Sequence, residues 1–132
     1  MVNPVKPYII DTGLVGSFAL SRDQDLGYLL ENCIFLELCR RYAKVAYMMA
    51  PSGFEVDFFV EYPDGTRQAI QVSADVSYPT TRDRECRVLI EASAIVPDAD
   101  SLLINRSEET TIEMNNATIH FVPAWKWLLD NM

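Results

Sequence analysis

Residues 54–76 read FEVDFFVEYPDGTRQAIQVSADV, and this stretch decides the fold. Apolar residues occupy the even positions of Phe54–Tyr62 and of the second half of Arg67–Val76, so each segment predicts a β-strand with one apolar and one polar face. Between them, Pro63-Asp64-Gly65 is typical of a three-residue hairpin loop with its glycine in the left-handed conformation. The stretch therefore predicts an antiparallel hairpin.

The two apolar faces of this hairpin restrict its register. They must point the same way, so an even-numbered residue pairs only with an even-numbered one. A three-residue loop pairs Tyr62 with Thr66, which places Asp57 opposite Gln71. A register shifted by two residues places Asp57 opposite Ser73 instead. In either register, Asp57, Gln71 and Ser73 form one polar cluster.

Helices and further strands flank the hairpin. The segment Asp25–Tyr42 contains no proline, follows Asp23 and closes with Arg40 and Arg41, which suits the helix dipole, and it is apolar on nearly every side. It therefore predicts a largely buried helix. The other predicted elements are an N-terminal edge strand or linker within Asn3–Ile10, a short helix Thr12–Ala19, strand Val45–Ala50, helix Pro79–Val96, strands Ser101–Asn105 and Thr118–Val122, and a final helix Ala124–Asn131 with Trp125, Leu128 and Leu129 facing inward.

The order of these elements predicts an α/β fold. A three-stranded antiparallel meander lies within a mixed sheet that helices flank. The 132 residues leave room for one domain, residues 1–132, and contents of 49% hydrophobic and 23% charged residues are typical of globular chains.

Charge and hydropathy narrow the classes of partner. The formal net charge of −8 opposes binding to polyanions, so a nucleic-acid partner is possible but disfavoured. No apolar run reaches the roughly 18 residues of a membrane-spanning helix, and the first residues lack a signal-peptide pattern. We therefore expect a cytoplasmic protein with no membrane partner.

The cysteines and the histidine do not form a recognisable metal or redox motif. Cys33, Cys39 and Cys86 show no CxxC spacing, and His120 is the only histidine. We expect three reduced thiols, with Cys33 in an apolar stripe as a small buried residue. Nothing near His120 marks it as the base of a serine or cysteine hydrolase.

Glu31 is an acidic residue in an apolar sector of the first predicted helix. A carboxylate in such a place is costly unless it has a partner. Together with Asp57 and Gln71 it makes a candidate site for a hard cation, Mg²⁺ or Mn²⁺, or for a general base. The alternative is a half-solvated sheet face with Glu31 pointing outward at the edge of the helix.

Several ordered motifs resemble the C-terminal domain of a widespread family of prokaryotic AAA-type ATP-binding proteins. They are NPVKPYIIDTGL at 3–14, LENCIFLEL at 30–38, GFEVDF at 53–58, IQVS at 70–73, TRDRE at 81–85 and PAWKW at 123–127. In that family the domain follows an ATPase core and is similar to the restriction-endonuclease-like PD-(D/E)XK fold. This chain has no GxxxxGK[ST] loop, so the resemblance implies an ATPase module in cis or in trans and no ATP site here.

The resemblance also implies a nuclease-type site. A PD-(D/E)XK nuclease uses an acid from the first helix, an aspartate on the second strand and an acid-x-lysine on the third; the acids hold a divalent cation and the lysine helps to activate water. Gln71-Val72-Ser73 stands where the acid-x-lysine belongs, and Arg82 or Arg84 could supply the missing positive charge. The implied metal ligands are Glu31, Asp57 and Gln71, and the implied catalytic residues are Asp57, Gln71, Ser73 and Arg84.

Two functional interpretations compete, and a third is a fold retained only as a scaffold. The first is a nuclease-like domain with a degraded active site that serves as a regulatory or interaction module of the ATPase; the second is a divalent-metal-dependent DNA endonuclease with an altered active site. The missing lysine and the negative charge favour the first. A nuclease needs a basic path, whereas an interaction module needs an exposed apolar patch. The candidates for the path are Arg40, Arg41, Lys44, Arg82, Arg84 and Arg87, and those for the patch are Tyr8, Trp125 and Trp127.

Overall fold

A seven-stranded mixed sheet forms the centre of the molecule in a computed structural model, which describes residues 2–3 and 23–130. The elements within these ranges are β1 (Val2–Asn3), α1 (Asp23–Arg40), β2 (Lys44–Met49), β3 (Glu55–Glu61), β4 (Arg67–Val72), α2 (Pro79–Ile95), β5 (Asp100–Asn105), β6 (Thr110–Met114), β7 (Ala117–Pro123) and α3 (Ala124–Leu129). The predicted helix Thr12–Ala19 and most of the predicted Asn3–Ile10 segment lie outside the described residues.

The strand order is β1-β2-β3-β4-β5-β7-β6. Strands β1 to β4 pair antiparallel, β5 runs parallel to both β4 and β7, and β6 returns antiparallel to β7. Helix α2 makes the crossover that a parallel β4–β5 pair requires. The predicted α/β class is confirmed, with its mixed sheet, its meander β2-β3-β4 and its flanking helices.

Two hydrophobic cores lie on opposite faces of the sheet. On one face α2 packs against Val56, Phe59, Ala69 and Leu103. On the other, α1 and α3 pack against strand residues that include Phe58, Val60, Ile70 and Ile104. Since both faces are covered, the central strands bury consecutive apolar residues instead of alternating inside and outside.

The β3–β4 hairpin has the register that the three-residue loop predicts. Phe58 pairs with Ile70, and the Tyr62 N–H donates to the Thr66 carbonyl at 2.8 Å. Gly65 has a φ of +89°, the left-handed conformation that this loop needs and that glycine adopts without strain. The register with Asp57 opposite Ser73 is therefore excluded.

A bulge in β3 makes the predicted alternation wrong. Between the pairs Ala46–Phe59 and Met48–Val56, β2 advances by two residues and β3 by three. The extra residue turns the strand, so that Val56 and Phe59 share the α2 face while Phe58 points to α1. The even-numbered residues of β3 thus do not lie on one face.

Strands β4 and β6 also differ from what the sequence predicts. Strand β4 ends at Val72 and not at Val76, because Ser73–Val76 leave the ladder for the turn before α2. The last backbone hydrogen bonds to the β5 side run from the Ser73 N–H to the Ile104 carbonyl and from the Arg106 N–H to the Ala74 carbonyl. Strand β6 was not predicted. It is short, and its side chains are exposed except for half-buried Ile112, so it lacks the apolar pattern of a core strand.

The inward face of α3 differs from the prediction. Trp127 is 5% exposed and Trp125 is 61% exposed, while Leu129 is exposed and Leu128 half-buried. The Arg41 guanidinium lies 4.3 Å from the centre of the Trp127 ring and donates to the Trp127 carbonyl at 2.9 Å. This contact joins the end of α1 to α3 and holds Trp127 in the core.

Helix α1 ends in a Schellman motif. The Ala43 N–H donates to the Leu38 carbonyl and the Tyr42 N–H to the Cys39 carbonyl, each at 3.0 Å. Tyr42 takes the left-handed conformation there, with a φ of 59°.

Among the described residues, no helix is both long and apolar enough to cross a lipid bilayer.

The three cysteines are free thiols, as predicted. Cys86 is buried and Cys39 is exposed, whereas Cys33, for which we expected burial, is half-buried. Burial raises the pKa of the Cys86 thiol and of the Cys33 thiol.

Acid should weaken the end of α1. A hydrogen bond from Arg40, aided by one from Arg41, lowers the pKa of Glu37 from its usual 4.5 to about 2. Because this pKa is lower in the folded state, Glu37 stabilises the fold above its unfolded pKa and loses this effect as the pH falls from 4.5 to about 2. We expect the difference in unfolding free energy between wild type and Glu37→Gln to shrink over this interval in urea denaturation. Parallel curves for the two proteins would contradict this assignment.

Candidate functional site

At Asp57 and Gln71, hydrogen bonds to side chains replace the backbone hydrogen bonds between β3 and β4. Its backbone pairs run from Glu61–Arg67 to Phe58–Ile70. At the next position, the Asp57 N–H donates to Gln71 Oε1 at 2.6 Å, and the Val72 N–H donates to Asp57 Oδ2 at 2.8 Å. Two side chains therefore complete the ladder where the strands diverge. The structure thus brings together Asp57 and Gln71, as the register predicts.

Gln71 also connects β4 to α2. Its side chain lies on the same face as Ala69, the face that α2 covers, and Nε2 donates to Glu85 Oε2 at 2.7 Å. Gln71 is 3% exposed and the Glu85 side chain 13%. A carboxylate can only accept and the Asp57 N–H can only donate, so these two partners fix the orientation of the amide. We call this chain of contacts, Asp57–Gln71–Glu85, the amide bridge.

The amide bridge does not fit a nuclease-type metal site. The oxygen of Gln71 that would face a cation is the atom that accepts from the Asp57 N–H. Its amide nitrogen is a donor, which cannot ligate a cation, and it is directed at Glu85. Position 71 therefore joins two parts of the protein and offers no charge to a metal.

Glu31 belongs to the other side of the sheet. It is half-buried on α1, whose residues Ile34 and Leu38 pack on the face of Phe58 and Ile70, whereas Gln71 points to α2. The structure thus does not join Glu31 to Gln71, because their side chains belong to different layers. Within the described ranges, no three His, Cys, Asp or Glu side chains form a group that could hold a metal ion.

Ser73 and Arg84 lie beside the amide bridge without entering it. The Ser73 hydroxyl is 3.4 Å from the Asp75 carbonyl, in the turn after β4. Arg84 is largely exposed, and its guanidinium is 3.4 Å from Glu85 Oε1. Arg84 therefore borders the site through Glu85, whereas Arg82 is directed away, with its guanidinium over the Phe121 ring.

Three arginines of the proposed basic path donate to carboxylates. Arg40 and Arg41 both donate to Glu37, at 2.5–2.9 Å. Arg82 donates to Glu108 at 2.6 Å. Arg82 has a carboxylate of its own, and Arg40 and Arg41 share one, which weakens the attraction of these cations for phosphate.

Glu85 is the site residue that the prediction missed. It appeared in the sequence only as part of the TRDRE motif. One signal could have found it: Glu85 precedes Val88 by three residues and Leu89 by four, and both are buried on α2. Residues at these spacings share one face of a helix, so Glu85 had to face the sheet from the second turn of α2.

A crevice opens beyond the carboxyl ends of the parallel strands β4 and β5. It has a volume of about 320 Å³ and lies between the turn at 74–77 and the loop at 105–108. Buried Asn105 shapes this loop, because its Oδ1 accepts from the backbone N–H groups of Ser107 and Glu108 at 3.1 and 2.6 Å. Asp75, whose pKa is lowered by hydrogen bonds from Ser77, puts a negative charge in the same crevice.

A second cleft lies on the opposite face and at the opposite end of these strands. Its volume is about 640 Å³, within the range of ligand sites. Tyr62 and Gln68 line one side of it, with the Tyr62 hydroxyl donating to Gln68 Oε1 at 2.6 Å, and Trp127 and Lys126 line another. Lys126 is ion-paired with Glu109. This cleft shares no residue with the amide bridge.

Comparison with known proteins adds one distant relative. No family model matches the chain. A protein of Methanocaldococcus jannaschii, named uncharacterized protein MJ1544, is 29% identical over 133 aligned positions that cover 94% of this chain. The same alignment covers 29% of the archaeal protein, so the chain spans less than a third of that relative's length.

Proposed function

We propose that this chain is a nuclease-like domain with a degraded active site that acts in the cytoplasm as a regulatory or interaction module of an AAA-type ATPase. The observation that carries the proposal is the amide bridge. Both ends of the amide of Gln71, the residue that the resemblance aligns with a nuclease acid, are bound by protein groups. In this proposal, residues that correspond to a nuclease centre fasten β4 to α2.

Charge and chain length support the same proposal. A net charge of −8 opposes binding to a DNA backbone, and the contacts of Arg40, Arg41 and Arg82 with Glu37 and Glu108 weaken the attraction of these arginines for phosphate. The archaeal relative has most of its length outside the alignment, as expected where such a domain is one part of a larger protein.

The face of α3 that points away from the sheet is the surface we assign to the ATPase module. Trp125 and Leu129 lie one helical turn apart and are 61% and 57% exposed. Large apolar side chains that remain exposed together are typical of protein–protein contacts.

The competing function is a metal-dependent endonuclease. What favours it is that Asp57, the strand aspartate, lies beside Gln71 with Glu85 close by, so two carboxylates remain near the nuclease position. Such an enzyme would need Asp57 and Glu85 to supply the charge that holds the cation, because the amide of Gln71 is neutral and its nitrogen is directed at Glu85.

A nicking assay on supercoiled DNA separates the two functions. We expect wild type and Asp57→Asn, purified identically, to show the same background with Mg²⁺ and with Mn²⁺, since Gln71 brings no charge to a metal and Ser73 cannot replace the lysine that helps to activate water. Circular dichroism of both proteins controls for folding. Cleavage by the wild type that disappears in Asp57→Asn would refute our proposal and establish the nuclease.

A further inference from the structure

Strand β6 forms one edge of the sheet with an unpaired side. It pairs with β7 alone, and within the described residues no other segment hydrogen-bonds to it. Four of its five residues are exposed, and the fifth, Ile112, is half-buried. Its outer side therefore presents backbone N–H and C=O groups to any strand that can reach them.

The turn after β6 shows which backbone groups face outward. Met114 pairs with Ala117 across a two-residue loop, Asn115-Asn116, in which both residues have positive φ, 51° and 66°. In such a loop the closing pair is hydrogen-bonded, and hydrogen-bonded pairs alternate along the strand. Hence Thr110, Ile112 and Met114 bond to β7, and the backbone groups of Thr111 and Glu113 point outward.

Apart from the charge of Glu113, this edge lacks the features that usually prevent strand pairing. Its pairing with β7 runs from Thr110–Phe121 to Met114–Ala117 without a bulge. The strand, TTIEM, has no proline and no lysine. Four of its residues are neutral, and threonine and isoleucine favour extended backbone.

We propose that β6 pairs antiparallel with β6 of a second copy of this chain, which joins the two sheets across a twofold axis. We infer a second copy as the partner because β6 is complementary to itself in the antiparallel orientation. A twofold axis normal to the sheet keeps every side chain on its own face, so the register must be centred on a residue and not between two.

Charge selects the register. Centred on Glu113, the pairing sets the two Glu113 carboxylates face to face, and centred on Thr111 it sets Glu109 against Glu113. Centred on Ile112, it uses the whole strand and opposes Thr111 to the second copy's Glu113, with no facing carboxylates. It also places Ile112 against its own copy, and Met114, which is 39% exposed, against Thr110.

Substitutions at Thr111 test the proposal by sedimentation equilibrium. In the dimer, Thr111 of each copy faces Glu113 of the other copy. Thr111→Lys therefore adds two attractive pairs, and Thr111→Glu adds two repulsive pairs. We expect dimerisation to strengthen about fivefold with lysine and to weaken about fivefold with glutamate. Because each copy carries a net charge of −8, salt should also strengthen the wild-type dimer.

The controls lie at the same position. Lysine and glutamate both remove the contact of 3.2 Å between Thr111 Oγ1 and His120 Nδ1, and Thr111→Val removes it without adding charge. The valine variant should dimerise like the wild type, and equal unfolding midpoints show that the monomer is intact. A wild type that stays monomeric up to about 1 mM in high salt overturns the proposal. The proposal is also overturned if the lysine and glutamate variants change the dimerisation constant in the same direction. Neither result bears on the proposed function as a module of an ATPase.

Discussion

Replacing Gln71 by glutamate is expected to lower the free energy of unfolding at neutral pH by about 3 kcal/mol. The substitution keeps the size of the side chain and one oxygen for the Asp57 N–H. It replaces the donor that lies 2.7 Å from Glu85 Oε2 by a second carboxylate oxygen. Position 71 is 3% exposed, so water screens the two charges weakly.

This loss should depend on pH with a definite sign. Repulsion and burial raise the pKa of the introduced carboxyl in the folded state above its unfolded value of about 4.3. Below that value the group is protonated in both states and can donate to Glu85 as the amide does, so the loss is small. As the pH rises above it, the unfolded state releases its proton first and the variant loses stability relative to wild type. Urea denaturation at about pH 4 and pH 7 measures the difference.

A double variant supplies the matched control. In Gln71→Glu combined with Glu85→Gln, the two side chains exchange roles: the carboxylate at position 71 accepts from Asp57 and from the amide at position 85. We expect most of the lost stability to return, with a favourable coupling energy in the double-mutant cycle. A double variant as unstable as the sum of its single changes would show that the amide bridge is not the source of the effect.

The two tryptophans of α3 should differ widely in their effect on stability. Trp127→Ala removes a ring that is 5% exposed and that packs under Arg41, and we expect a loss of about 3–5 kcal/mol. Trp125→Ala removes a ring that is 61% exposed, and we expect less than about 0.5 kcal/mol.

Chemical denaturation followed by far-UV circular dichroism measures both changes without relying on tryptophan fluorescence. If Trp125→Ala cost as much as Trp127→Ala, α3 would be packed differently from the arrangement described above. A stable Trp125→Ala is also useful in itself, because it removes half of the α3 surface assigned to the ATPase module and leaves the fold intact.

The parts of the fold that local sequence determines were predictable. The loop Pro63-Asp64-Gly65 sets the register of β3 against β4, and this register alone places Asp57 beside Gln71. The limits of α2 followed from Pro79 at its start and Pro97 just beyond its end. In each case, residues near one another in the chain decide the geometry.

The remaining features depend on contacts between distant segments. The bulge in β3 was not predicted, because only Phe59 departs from the alternation of Phe54–Tyr62, and an apolar residue fits either face of a sheet that is covered on both sides. Glu85 enters the site only because the crossover brings α2 over β4. Trp127 is the inward tryptophan because Arg41, 86 residues earlier, stacks on it.

The bulge in β3 limits how relatives of this chain can diverge. The loss of one residue near Asp57 would restore a regular ladder and leave Val56, Phe58 and Phe59 on their present faces, because β3 has one residue more than β2 at this point. The loss of one residue between Phe59 and Glu61 would instead exchange the faces of every residue on one side of the gap. We therefore expect that, in alignments of remote relatives, a single-residue gap within β3 falls beside Asp57 and other insertions and deletions fall in the flanking turns.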